Sequence, residues 1–64
     1  MYKNQMKRIR MSKNITLVKL SEATGISSGY LCHLEKGSRK NPSRHVMELI
    51  AGALEVSVAE VFFE

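Results

Sequence analysis

Cys32, His33 and Glu35 are the first residues to weigh, because a thiol, an imidazole and a carboxylate within four positions are the ingredients of a metal site or an activated nucleophile. Their spacing suits neither use. Adjacent residues on a helix point about 100° apart, and the chain supplies no second ligand pair. Cys32 is the single cysteine, so no internal disulfide can form, and a lone thiol fits a reducing compartment. No acid–base pair or nucleophile–base constellation occurs elsewhere. The chemistry to expect is binding rather than catalysis, with no metal, cofactor or small-molecule ligand. The second cluster is KGSRKNPSR, residues 36–44, in which four of nine residues are Lys or Arg. Lys36, Ser38, Arg39, Lys40 and Arg44 are candidate phosphate clamps, against the plainer reading of a solvated basic loop. The whole chain carries 10 Lys and Arg against 6 Asp and Glu, a net +4, which suits a polyanionic partner. Each phosphate neutralised adds about 0.9 to the salt slope of binding.

The stretch TLVKLSEATGISSGYLCHLE, residues 16–35, must position that chemistry. It reads as two short helices around a tight turn. The first runs from about Thr16 to Thr24. Thr16 is its cap, and Leu17, Leu20 and Ala23 with Thr24 form its apolar side. Gly25 stands where a helix end favours a left-handed residue. Ile26 is an apolar plug and Ser27 a second cap. Leu31 and Leu34 then form the buried stripe of the next helix, which starts near Ser28. With those two turned in, Ser28, Gly29, Cys32 and His33 face out or partly out, and Tyr30 lies at the flank. Two helices joined by a short turn containing Gly make the helix-turn-helix pattern, whose second helix reads DNA.

The remaining chain supports this pair. Tyr2, Met6 and Ile9 give one narrow apolar face, predicting a helix over residues 2–13 with Lys3, Lys7, Arg8, Arg10 and Lys13 around it. Asn14 is a left-handed stop, and Ile15 a staple against Leu20. Gly37 ends the third helix. Pro42 restricts Asn41 before it and cannot continue a helix. Ser43 caps a fourth helix that buries Val46, Met47, Ile50, Ala51 and Leu54. Gly52 within it costs about 1 kcal/mol relative to Ala, which close approach of another helix would explain. Ser57-Val58-Ala59-Glu60 is a capping box opening a last helix to Phe63, with Val61 and Phe62 closing the core and Phe63 exposed. No strand-like alternation persists, so the prediction is all-α, five short helices in one domain. Sixty-four residues bury only about 60% of their unfolded surface, which leaves no room for a cleft between domains. No window reads as a membrane span and no apolar segment follows the basic N-terminus as in a secretion signal.

The pattern I-T-L-x-x-L-S-E-x-T-G-I-S-x-x-Y-L-x-x-L-E-K-G, then N-P-S, then A-L-E-V-S-x-x-x-V-F, resembles the lambda-repressor-like, Xre-type helix-turn-helix family, most closely its SinR-type repressors. The resemblance spans about residues 2–63. It implies a five-helix DNA-binding domain whose third helix enters the major groove, with dimers reading two half-sites. The family's base-contacting positions fall on Ser28, Gly29 and His33, with Ser27 at the helix start. Backbone phosphates would be met from Thr16 and Leu17, from Tyr30, and from Lys36, Ser38, Arg39, Lys40 and Arg44. Arg10 and Glu35 match a structural ion pair. Leu17 stands where relatives often have Gln, so amides of that first turn are what meets a phosphate. Gly29 stands where a polar reader often sits, the loop after the third helix is one residue longer than usual, and Glu55 replaces the more usual Gly.

The reading that results is a sequence-specific DNA-binding transcriptional regulator, a repressor of bacterial or phage type. It would be cytoplasmic, nucleoid-associated when bound, and would act as a homodimer on an approximately palindromic operator in double-stranded DNA. Phe62, Phe63 and the basic N-terminal helix are candidate association surfaces. The alternative is a protein-interaction module of the same fold, an antitoxin-like or antirepressor partner without base readout, which Leu17 and Gly29 would suit. In the first case His33→Ala relaxes preference at one base position, while Lys40→Ala weakens all sequences alike.

Overall fold

The computed structural model describes residues 4–37 and 42–63. Five helices and no strand occur among them: α1 (Met6–Ser12), α2 (Leu17–Thr24), α3 (Ser28–Lys36), α4 (Arg44–Leu54) and α5 (Val58–Phe62). Four begin with a hydroxyl cap. Thr16 Oγ1 accepts from the Lys19 N–H, and Ser27, Ser43 and Ser57 Oγ accept from the N–H of Tyr30, Val46 and Glu60. Each cap satisfies one of the donors that a first turn leaves unpaired. Glu60 reciprocates by accepting from the Ser57 N–H at 3.1 Å, completing the capping box. Ends are set by left-handed residues: Gly25 at φ 75° and Gly37 at φ 79°, with Asn14 at φ 57° beyond α1. Glu55, at φ 61°, ends α4 in the Schellman pattern, its N–H on Gly52 and that of Val56 on Ala51.

The core is one cluster to which every helix contributes. Met6 and Ile9, Leu20, Leu31 and Leu34, Ile50, Ala51 and Leu54, and Val61 and Phe62 are all buried. Each large side chain withdrawn from water contributes about 2 kcal/mol. Ile15, Leu17, Ile26, Tyr30, Val46 and Met47 pack against it from the edge. Within this arrangement α2 packs on both α3 and α4, α4 on α5, and α5 on α1.

Several expectations need correction. The first helix does not run from residue 2 but starts at Met6, because the preceding polar groups bond elsewhere: Gln5 N–H donates to Val61 C=O at 2.8 Å, and Asn4 Oδ1 accepts from Met6 N–H at 3.0 Å. Tyr2 and Lys3, expected on that helix, lie outside the described residues, as does Asn41. Ala23 is exposed; about 60° around the helix from Leu20, it falls on the opposite side from Leu17 and Thr24. Gly52 is exposed, and a Cβ there would meet nothing within 4 Å, so no approaching helix explains it. The last helix ends at Phe62, one residue early. Phe62 is buried, which removes it from any association surface, whereas Phe63 is 69% exposed.

Candidate nucleic-acid interface

The face that α3 turns outward follows from what it turns in. Leu31 and Leu34 are fully buried, and Tyr30 packs its ring against the core edge. Ser28, Gly29, His33 and Lys36 are exposed, and Cys32 is half-buried beside them. Gly29, His33 and Lys36 are spaced i, i+4, i+7 and so share one stripe. Ser27, also exposed, has its hydroxyl oxygen engaged as the cap of α3. The space over Gly29 is open, with nothing within 4 Å of where a Cβ would stand.

Three sets of bonds orient this helix. At its start the turn is sealed by two hydroxyls. Ser21 Oγ donates to Ile26 C=O at 2.6 Å, and Thr24 Oγ1 accepts from Ile26 N–H at 3.2 Å while donating to Leu20 C=O at 2.8 Å. At its end, Arg10 reaches from α1 to Glu35 with Nε–Oε2 at 2.6 Å and Nη2–Oε1 at 3.3 Å. The two side chains are 12% and 6% exposed, and Arg10 Nη1 also donates to Ile15 C=O at 2.7 Å. One guanidinium therefore ties the last turn of α1, the lead into α2 and the last turn of α3. The third bond is Asn4 Nδ2 to Leu34 C=O at 3.0 Å.

The flanking phosphate candidates divide by position. Thr16 is exposed and its oxygen is the cap of α2. The Leu17 side chain packs on the core edge, so what it offers an anion is its backbone N–H in a first turn, where the helix dipole favours negative charge. Lys36 and Arg44 are exposed. Arg44 Nε pairs with Glu48 Oε2 at 3.2 Å, but with side chains 87% and 55% exposed that surface pair is weak and easily exchanged for a phosphate. Ser38, Arg39 and Lys40 lie outside the described residues. Among the described residues no group of three His, Cys, Asp or Glu side chains gathers to hold a metal ion, and no helix is long and apolar enough to cross a membrane.

Sequence reasoning missed Asn4, Ser21 and Thr24. Hydroxyls beside a turn Gly are readable turn bonds. The reach of Asn4 across thirty positions to Leu34 has no such local signal.

Comparison with known proteins agrees with this geometry. Residues 6–61 match the family model HTH_3, described as helix-turn-helix. The chain is 37% identical over 60 residues to the immunity repressor protein of Bacillus phage phi105, covering 94% of this chain and 41% of that protein. The N-terminal DNA-binding domain of SinR from Bacillus subtilis superposes with a TM-score of 0.78 at 33% identity, over 84% of this chain and 78% of that one. A chain of the SinR protein/SinI protein complex superposes with a TM-score of 0.80, also at 33% identity, over 86% of this chain and 53% of that one. The chain spans less than half the length of the curated relatives it matches.

Proposed function

The chain belongs to the helix-turn-helix family, and from that premise we propose that it is a sequence-specific DNA-binding transcriptional regulator, a repressor that blocks a promoter by occupying its operator. The observation that carries the proposal is the exposed stripe of α3, held at both ends while Leu31 and Leu34 anchor its other side. Such a helix can enter a major groove about 12 Å wide and present side chains to base edges. Ser27, Ser28 and His33 supply the hydrogen-bonding groups; Gly29 supplies close approach. Thr16 with the Leu17 amide, Tyr30, Lys36, Arg44 and the loop residues Ser38, Arg39 and Lys40 contact the sugar–phosphate frame, fixing register without reading sequence. Readout by two serines and one imidazole discriminates weakly, so affinity rests on the cations and part of the specificity on DNA shape.

In this reading residues 1–64 form one reading module that acts in the bacterial cytoplasm on the nucleoid. One such module buries about 600–1,000 Å² on DNA, which is small for tight specific binding. Two copies on an approximately palindromic operator would meet that need, their half-sites about one helical turn apart. Selection of bound duplexes from a random library tests the proposal. Enrichment of a two-fold motif, bound more weakly as salt rises, is the expected result. No enriched motif together with no band shift at low salt would overturn it.

A second reading has one observation in its favour: Val18, beside Leu17 at the start of α2, is 61% exposed where a DNA-facing helix end gains nothing from an apolar side chain. A protein-interaction module would use it. Salt-insensitive binding to a protein, with no binding to duplex, is the outcome that would favour this alternative.

A further inference from the structure

We infer that Asn4 is a positioning residue for the reading helix, acting through its side-chain amide on the last turn of α3. The inference rests on the DNA-reading proposal above and adds a residue that lies neither on the motif nor on its outward face. Asn4 is half-buried, and its amide is used at both ends. Oδ1 accepts from Met6 N–H, the first amide of α1, at 3.0 Å, while Nδ2 donates to Leu34 C=O at 3.0 Å. The carbonyl of Leu34 also receives Gly37 N–H at 3.2 Å, so both its lone pairs are occupied. Among the last four carbonyls of a helix, which lack partners within it, Leu34 C=O is therefore held from outside the motif.

Leu34 follows His33 directly, and a helix nine residues long is a rod of roughly 13 Å. The Ser21 hydroxyl fixes the residue before its cap, and Asn4 and Arg10 fix its far end. Those far-end ties are chemically different. Arg10 grips the flexible carboxylate of Glu35, whereas Asn4 grips the main chain itself. The Glu35 side chain can swing without moving α3; the Leu34 carbonyl cannot. Asn4 is in turn rooted by its neighbour, since Gln5 N–H is bonded to Val61 C=O of α5. The angle of α3 to the rest of the molecule is thus referred, through residues 4 and 5, to the element most distant from it in sequence.

The donor and the acceptor of Asn4 can be separated. Asn4→Asp keeps an oxygen for the Met6 N–H but has nothing to donate to Leu34, while Asn4→Ala removes both. The experiment measures, for parent and variants, affinity for a duplex selected by the parent and for random duplex at one salt concentration. It also records in the parent the through-hydrogen-bond scalar coupling between Asn4 Nδ2 and the Leu34 carbonyl carbon. Loss of folded protein lowers both affinities by one factor and leaves their ratio alone. A misaimed helix lowers the ratio, and about fivefold is expected for both variants, consistent with the weight of one hydrogen bond. The agreement of the two variants removes the added charge of Asp as a cause. An unchanged ratio in both, or an absent coupling in the parent, overturns the inference. A parent that selects no duplex overturns the DNA-reading proposal itself, a failure visible before any variant is made.

Discussion

At the scale of single residues, the Arg10–Glu35 pair and the Glu60 carboxylate show how differently two charges can be worth their place. Arg10 and Glu35 are almost wholly withdrawn from water and share two bonds. Glu35→Gln strands the guanidinium, and a loss of about 3 kcal/mol in denaturant unfolding is expected. Glu60 is fully exposed, yet its carboxyl is held below the ordinary value of 4.5, first by the Ser57 backbone N–H that it accepts, then by the Ser57 hydroxyl, with Lys13 and Arg8 adding to it. A lowered folded-state value means that the carboxylate's contribution is complete above the ordinary value and disappears as pH falls through the lowered one. An NMR titration should find Glu60 below 4.5 in the parent, and Ser57→Ala should return it upward. His33 belongs to the same scale: His33→Ala should relax preference at one base position in a repeat duplex selection.

Among the elements, α4 carries two residues that work against it. Glu55 sits at φ 61°, a conformation that side chains with a Cβ adopt at a cost of about 1 kcal/mol, and Gly52 lies mid-helix with open space around it. Gly52→Ala should raise stability by about 1 kcal/mol and Glu55→Gly by somewhat less, because Gly also loses more freedom on folding. Thermal melts of the two single variants and the double variant would check both values and their additivity. The elements also show what the sequence could reveal. The starts of α2 to α5 were legible because Thr16, Ser27, Ser43 and Ser57 each act within three residues of themselves. The start of α1 was not, because Gln5 bonds to Val61 and Asn4 to Leu34, partners that only the folded chain brings near. The outward stripe of α3 was legible by subtraction from Leu31 and Leu34. Of the bonds that aim it, those of Ser21 and Thr24 lie beside the turn Gly and carry a local signal, whereas Asn4 reaches a distant partner that periodicity does not choose.

For the molecule as a whole, the proposed function makes exposed cations the main source of affinity. Lys36, on the α3 stripe, and Arg44, at the start of α4, are both exposed. Lys36→Ala should weaken selected and random duplex about equally and lower the salt slope by about 1, measured by titration across salt concentrations. The bond between Gln5 and Val61 has a consequence of another kind. Met6 and Ile9, made early, and Val61 and Phe62, made well after them, line the same core. A ribosome adds about 5–20 residues each second, so the α3 segment emerges seconds before the wall against which its neighbours must close. Until Val61 and Phe62 have left the ribosome the earlier helices have no complete interior.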